Sequence, residues 1–160
     1  MAMQLQGSFT VRAPRERVWA FFMDPNALSA CIDDPHGLEV VSEDHFKGWI
    51  KAGVAFIRGT FTGFVTIAEK VPPERARIMA HGSGMGSGAD ISSTIELSES
   101  DGQTTLRWTA DVTLSGTVAS MGARLIRPTI DKKTNAFFEN ARTRLEGLTP
   151  LPEGKPYGPL

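Results

Sequence analysis

Apolar and polar residues alternate over residues 4–11 of this chain. Leu5, Phe9 and Val11 fall on one face of the segment, and glutamine, serine and threonine side chains fall on the other. A period of two with one apolar face is typical of a half-buried β-strand. We therefore predict that the fold begins with a strand.

The period changes after Pro14, a residue that suits the first turn of a helix. Apolar residues then recur at helical spacing up to about Met23, which predicts a helix. The sequence Asp24-Pro25-Asn26 ends this pattern. Either Asp24 or Asn26 is suited to cap a second, short helix that follows.

The middle of the chain consists of short apolar or alternating runs separated by turn residues. The predicted strands are residues 38–41, 46–51, 56–67, 76–82, 91–97 and 105–114. Short connections between consecutive strands favour antiparallel pairing. Together with the first strand, these runs predict a curved antiparallel sheet of about seven strands.

Beyond Gly116 the apolar residues return to helical spacing. The predicted stripe is Val118, Met121, Leu125, Ile130, Phe137, Ala141 and Leu145. Pro128 lies inside this pattern and removes a backbone donor, so we predict a kink or break over residues 124–127. Gly147 is expected to end the helix. Residues 4–147 thus form one domain, and residues 148–160 are predicted to be a proline-rich extended tail.

Composition narrows the classes of function. The chain has 160 residues, 41% of them hydrophobic, with 17 basic against 18 acidic side chains. This size and composition suit one globular domain, and the charge balance gives no electrostatic reason to bind nucleic acid. Cys31 is the only cysteine, which excludes an internal disulfide and fits a reducing compartment.

The chain shows no signal-peptide pattern at its start and no apolar run of about 20 residues, the length needed to cross a bilayer. We therefore predict a cytoplasmic protein. Any contact with the inner face of the membrane is expected to be peripheral.

Residues 84–89 match the pattern G-x-G-x-x-A, which in dinucleotide-binding proteins places a pyrophosphate at the start of a helix. The following residues, 91–97, alternate as a strand instead. A hairpin connection therefore explains the glycines better than a nucleotide site. A functional interpretation of the same glycines is that this connection forms a movable wall of a cavity.

The ionisable residues give no catalytic or metal-binding pattern. His36, His45 and His81 are too scattered to show metal-ligand spacing, and no nucleophile motif is present. His81 is predicted to face solvent with Asp90 opposite it across a hairpin. We therefore predict no metal site, no catalytic residue and no enzymatic activity.

Strand parity places one set of apolar residues on the face that meets the C-terminal helix. The predicted cavity lining is Phe46, Ile50, Phe61, Val65, Ile78, Ile95 and Trp108 from the strands, with Met121 and Leu125 from the helix. The same pattern would serve a dry, fully packed core. Small inward residues favour the hollow alternative; they are Gly59, Gly63, Ala80, Ser93 and Ala110.

Three segments resemble one family. They are "LQGSFTVRAPRERVWAFFMDPNALSACI", "GSGMGSG" entering a strand, and "TVASMGARLI" followed by "FFENARTRLEG". These segments, and the order strand, two helices, six strands, long helix, resemble the carbon monoxide dehydrogenase CoxG-like family of the START-like, or SRPBCC, superfamily. The resemblance implies a helix-grip α+β fold over residues 4–147. Residues 33–36 depart from the family, which more often has a compact Pro-Gly turn there.

The resemblance implies a non-enzymatic accessory protein that binds or transfers a hydrophobic small molecule, such as a respiratory quinone or lipid, and serves a molybdenum-containing oxidoreductase. No cofactor beyond that ligand is implied. START-like relatives also include polyketide cyclases and aromatases, so an enzyme using the same cavity is one alternative. A docking scaffold with a filled core is another. For release of the ligand, the candidate movable walls of the cavity are the glycine-rich segment over residues 82–88 and the helix break near Pro128.

Overall fold

The computed structural model describes residues 1–54 and 56–147. Within these residues, seven strands and four helices follow each other in the order β1, α1, α2, β2 to β7, α3, α4. The strands are β1 (Ala2–Val11), β2 (His36–Ser42), β3 (His45–Val54), β4 (Ile57–Val71), β5 (Arg75–Gly84), β6 (Ser87–Ser100) and β7 (Gln103–Gly116). The helices are α1 (Arg15–Phe22), α2 (Pro25–Ser29), α3 (Thr117–Met121) and α4 (Ala123–Leu145).

The strands form one antiparallel sheet in the order β1-β7-β6-β5-β4-β3-β2. Strands β2 to β7 each pair with the next strand along the chain, as the short predicted turns favour. Strand β1 pairs with β7, so β1 and β2 are the two edges of the sheet. The α+β helix-grip class predicted from the sequence is confirmed. The predicted tail, residues 148–160, lies outside the described residues.

Alternation along the strands places the core on one face of the sheet, against α4. On β7 the even-numbered residues Leu106, Ala110 and Val112 are buried, whereas the odd-numbered Arg107 and Thr109 are exposed. Two apolar clusters result. One surrounds α1 and the end of α4, and the other surrounds α3 and the start of α4.

The cap of α2 resolves an alternative that the sequence left open. The carboxylate of Asp24 accepts a hydrogen bond from the backbone N–H of Asn26, at 2.9 Å. Asp24 is therefore the N-cap residue, and Pro25 occupies the first helical turn, where a missing N–H costs nothing.

The break in the C-terminal helix lies at Gly122, so the prediction of a break over residues 124–127 is wrong. Gly122 has a φ of +83°, which no right-handed helix accepts, and it separates α3 from α4. Pro128 lies within α4 without ending it. Because the helical phase restarts after Gly122, Ile126 is buried and Leu125 turns to solvent.

The glycine-rich segment is a β-hairpin, which excludes a dinucleotide fingerprint there. Strands β5 and β6 are joined by Met85 and Gly86, whose φ angles are +53° and +73°. Positive φ at both central residues is what a type I′ turn requires. The carbonyl of Gly86 accepts a hydrogen bond from the Thr117 N–H at 3.0 Å, which ties this hairpin to α3.

Candidate functional site

A cavity of about 510 Å³ lies between the inner face of the sheet and α4. Leu5, Ala110 and Val112 contribute to its sheet wall, and Ile126, Ile130 and Phe137 contribute to its helix wall. The interior is therefore hollow rather than fully packed. The volume lies within the range of about 300–1,000 Å³ that small-molecule sites occupy.

A second cavity of about 370 Å³ adjoins the first, between α2 and strands β2 to β6. Six residues line both cavities, namely Leu28, Phe61, Ile78, Gly82, Ala89 and Ile91. These shared residues stand between the two volumes.

Small inward residues leave the space open. Ser93 and Ala110 line the larger cavity, and Gly63 and Ala80 line the smaller one. Gly59 differs, because the side chain of Met85 already fills the space that a Cβ of Gly59 would occupy. Four of the five small residues identified in the sequence thus border empty space.

The structure distributes the predicted lining residues between the two cavities. Phe61, Ile78, Ile95 and Trp108 line the larger one, and Phe46, Ile50 and Val65, again with Phe61 and Ile78, line the smaller one. Two predicted residues are placed differently. Met121 packs in the cluster around α3 without lining either cavity.

The prediction that Leu125 faces the interior is wrong. Its side chain is 52% exposed, whereas that of Ile126 is 1% exposed. The predicted stripe ran through residues 118, 121 and 125 as one uninterrupted helix, and the break at Gly122 shifts the phase.

Sequence reasoning missed several wall residues on the helices: Phe22, Leu28, Ile126, Thr134 and Phe138. A signal for the α4 members was present, since residues 126, 130, 134, 137, 138, 141 and 145 share one helical face once Gly122 is taken as the start. Phe138 is the most consequential omission. Its ring stacks on Trp108 with 6.1 Å between centroids and 21° between planes.

The larger cavity has an almost wholly apolar lining. Its polar side chains are the hydroxyls of Ser83, Ser87, Ser93 and Thr134, together with the Trp108 indole. Two hydroxyls are engaged within the protein: Ser87 accepts from the Val118 N–H, and Ser93 donates to the Thr109 carbonyl, each at 2.9 Å. Among the described residues that line this cavity, none has an ionisable side chain.

A Ser–His pair borders the smaller cavity. His36 Nδ1 lies 2.6 Å from the Asp34 carbonyl oxygen, and Nε2 lies 2.7 Å from the Ser29 hydroxyl. A carbonyl only accepts hydrogen bonds, so Nδ1 carries a proton, and in the neutral imidazole Nε2 accepts from the Ser29 hydroxyl. Sequence reasoning found no such pair because Ser29 and His36 belong to different elements.

Two side chains of α4 hold the segment that leads to His36. Lys133 Nζ lies 2.8 Å from the Asp34 carboxylate. Asn140 donates to the Cys31 carbonyl at 2.8 Å and to the Asp33 carboxylate at 3.1 Å. This loop is therefore held against the helix and positions His36.

His81 and Cys31, which the sequence analysis also considered, lie where a structural role explains them. His81 lies on the outer face of the sheet, 2.6 Å from Asp90, as predicted. Cys31 is buried, and burial raises the pKa of its thiol to about 11. Within residues 1–54 and 56–147, no cluster of three or more His, Cys, Asp or Glu side chains is arranged to hold a metal ion.

A curved antiparallel sheet that grips a C-terminal helix around an apolar cavity defines a START-like, helix-grip protein. The family model for CoxG, the G subunit of carbon monoxide dehydrogenase, matches residues 7–146. The chain belongs to this family. No curated protein sequence matches it.

Solved structures agree with this fold. A conserved protein from Geobacillus kaustophilus is 26% identical, with a TM-score of 0.83 over 89% of this chain and 95% of that one. A START superfamily protein from Mycobacterium smegmatis is 11% identical, with a TM-score of 0.70 over 91% and 99%. The Zhui aromatase/cyclase from Streptomyces sp. R1128 is 14% identical, with a TM-score of 0.66 over 94% and 100%.

None of the helices in the described part of the chain combines the length and the apolar character needed to cross a bilayer.

Proposed function

We propose that this protein binds a hydrophobic small molecule in its cavity and carries it without changing it chemically. The observation that supports this is the apolar cavity of about 510 Å³, whose described lining offers hydroxyls and an indole but no acid or base. Such a lining binds apolar ligands, because binding removes apolar surface of the ligand and of the cavity from water. Each buried CH₂ contributes about 0.8 kcal/mol, so a chain of several carbons binds without many polar contacts.

The expected ligand class is an elongated molecule with an apolar tail, such as an isoprenoid quinone or a lipid. The adjoining cavity of about 370 Å³ supports an elongated shape, because the two volumes share six lining residues. Membership in the CoxG family supports a client among molybdenum-containing oxidoreductases of the carbon monoxide dehydrogenase type. The protein then acts as an accessory that delivers the ligand to that enzyme or removes it.

The first test is direct identification of the occupant. Protein purified from a quinone-producing host is extracted with organic solvent, and the extract is analysed by mass spectrometry. We expect a quinone or lipid in near-stoichiometric amount. Protein freed of ligand is then titrated with decylubiquinone and with palmitate, and quenching of tryptophan fluorescence is measured, because Trp108 lines the larger cavity.

A cavity-filling variant makes the test specific. Ala89 borders both cavities, so Ala89→Phe is expected to occupy the space between them and to abolish binding. Thr113→Phe adds a similar volume on the exposed outer face of β7 and serves as the matched control. An empty extract with no response to either probe, or equal binding by both variants, would contradict the carrier function and favour a docking scaffold.

A catalytic use of the smaller cavity is a second candidate, and the Ser29–His36 hydrogen bond favours it. An imidazole whose Nε2 accepts a hydrogen bond is the form that can remove a proton from a bound substrate. The test is recovery of the extracted native ligand after prolonged incubation with fresh protein. Conversion by the native protein but not by His36→Asn would establish catalysis, whereas recovery of unchanged ligand from both supports the carrier.

A further inference from the structure

The polar side chains that line the larger cavity differ in whether the fold already uses them. The hydroxyls of Ser87 and Ser93 bond within the protein, and Ser83 is exposed near the end of β5. Two polar groups remain, the indole N–H of Trp108 on β7 and the hydroxyl of Thr134 on α4. One belongs to the sheet wall of the cavity and the other to the helix wall.

Neither of these two groups has a hydrogen-bond partner among residues 1–54 and 56–147. Thr143, further along the same helix as Thr134, donates to the Glu139 carbonyl one turn back at 3.0 Å, a common arrangement for a helical threonine. Thr134 makes no such bond to a described residue. Neither the Thr134 oxygen nor the Trp108 nitrogen is sealed inside the protein, so each opens on accessible space. Both are therefore free to bond to a ligand.

The two groups lie on the same side of the cavity. Thr134 precedes Phe138 by about one helical turn, so their side chains share one face of α4. The Phe138 ring stacks on Trp108 with 6.1 Å between centroids. Trp108 also lies against Gly7, where a Cβ would be 2.9 Å from the indole nitrogen. The indole N–H and the hydroxyl are thus placed where β1 passes α4, and we call Trp108 and Thr134 the anchor pair.

A polar groove of about 380 Å³ lies behind the anchor pair, between the edge of β1 and α4. Five residues line both this groove and the larger cavity: Leu5, Trp108, Ile130, Thr134 and Phe138. The charged side chains of the groove balance, since Arg127 and Arg142 stand against Asp131 and Glu139. Arg142 is engaged already, because it donates to the Thr10 carbonyl and lies 3.6 Å from the Glu139 carboxylate. The described side chains around the anchor pair therefore have no net charge.

The chemistry of the anchor pair favours one kind of ligand oxygen. An indole N–H only donates hydrogen bonds, and a threonine hydroxyl can donate as well, so the two groups together suit an acceptor with two lone pairs, such as a carbonyl oxygen. A hydrocarbon would displace water from both donors and leave them unpaired. A carboxylate would bring a charge into a cavity whose described lining has no cation, which is costly.

We propose that Trp108 and Thr134 set the ligand specificity of the larger cavity by donating hydrogen bonds to an uncharged carbonyl oxygen at the polar end of the ligand. The apolar tail then extends through the cavity away from β1. The anchor pair selects a ring ketone over a fatty-acid carboxylate and over a plain hydrocarbon. This inference rests on the proposed carrier function and adds to it the residues that recognise the polar end.

Three probes that differ in their polar end test the anchor pair. Decylubiquinone has ring carbonyls, 1-phenyldecane has the same decyl tail on a ring without oxygen, and decanoate has a carboxylate. The full chain, freed of ligand, is equilibrated with each probe by dialysis, and the bound fraction is measured by chromatography. We expect decylubiquinone to bind more tightly than decanoate. The ratio of the dissociation constants of decylubiquinone and 1-phenyldecane then reports on the hydrogen bonds alone.

Two variants remove the donors while keeping the shape of the cavity. Thr134→Val replaces the hydroxyl by a methyl group, and Trp108→Phe removes the N–H but keeps a ring beside Phe138. Each should weaken decylubiquinone about fivefold relative to 1-phenyldecane. Thr129→Val on α4 and Trp19→Phe on α1 make the same exchanges at residues that line neither cavity nor the groove, so they should keep the native ratio. Denaturant melts confirm that every variant is folded.

The outcomes separate this inference from the carrier function. If decylubiquinone binds and both anchor variants keep the native ratio, the anchor is wrong and the carrier function stands. If decanoate binds more tightly than decylubiquinone, the preference for an uncharged carbonyl is wrong. A change of ratio in the controls as large as in the anchor variants would also overturn the assignment. If none of the three probes binds, the carrier function fails and the anchor fails with it.

Discussion

The indole of Trp108 stacks on the ring of Phe138, at 6.1 Å between centroids and 21° between planes. Trp108 belongs to β7 and Phe138 to α4, and both rings line the larger cavity. This contact ties the middle of the sheet to the helix that it grips. The stacked pair therefore forms part of the wall of this cavity.

Phe138→Ala tests this wall. Truncation removes the stacked partner and widens the cavity, so the free energy of unfolding should fall by about 2–3 kcal/mol, below the range for a fully enclosed phenylalanine. Denaturant melts and the near-UV circular dichroism of Trp108 measure it. Phe64→Ala on the exposed outer face should change stability by less than about 0.5 kcal/mol. Equal losses in both variants would refute a special role for the stack.

Gly7 gives a second test of the same wall, from β1. It pairs with Trp108, and a Cβ at Gly7 would lie 2.9 Å from the indole. Gly7→Ala should therefore displace Trp108 and lower stability by about 1–3 kcal/mol, with a shift in tryptophan emission. At Gly53 the nearest atom would lie 3.4 Å away, so Gly53→Ala should leave the emission unchanged. An unshifted spectrum in Gly7→Ala would mean that the indole is free to move.

Asn140 holds the loop that positions His36. Its amide donates to the Cys31 carbonyl and to Asp33. Asn140→Ala removes both hydrogen bonds, and the one to the part-buried Cys31 carbonyl matters most, so stability should fall by about 1–2 kcal/mol. Hydrogen exchange over residues 31–36 should also speed up. Asn135→Ala, at an exposed site on the same helix, gains the same helix propensity and should do neither. Unchanged exchange in Asn140→Ala would show that Lys133 and Asp34 suffice.

Cys31 should react slowly while the protein is folded. Burial raises the pKa of its thiol to about 11, chiefly because the thiolate loses hydration. A thiol with this pKa has about 100-fold less thiolate at pH 8 than one with an ordinary value. Iodoacetamide labelling should therefore be at least that much slower in native protein than in denaturant. Equal rates would contradict the burial.

The same shift has a consequence for stability at high pH. The folded pKa lies above the unfolded value, so the folded state binds the proton more tightly and the contribution is complete below about pH 9. It is lost as pH rises from there toward 11. The difference in unfolding free energy between native protein and Cys31→Ala should shrink over this range. A difference that stays constant with pH would show that the thiol does not titrate differently in the two states.

The sequence alone determined the order of the elements and the face each strand buries. Period-two alternation on β1 and β7 is a local property, and short turns leave consecutive strands few ways to pair. The outward position of His81 opposite Asp90 followed from the same parity. The segments quoted for the family resemblance were likewise readable without any structure.

Tertiary structure decided whether the interior is filled, because the same apolar pattern serves a packed core and a hollow one. It also decided the helix phase: the C-terminal helical segment breaks at Gly122 rather than near Pro128, since a backbone at positive φ stops a helix more surely than a single missing donor. Leu125 was misplaced for that reason. Finally, the Ser29–His36 hydrogen bond forms only because α2 and β2 fold against each other, and no local period records such a contact.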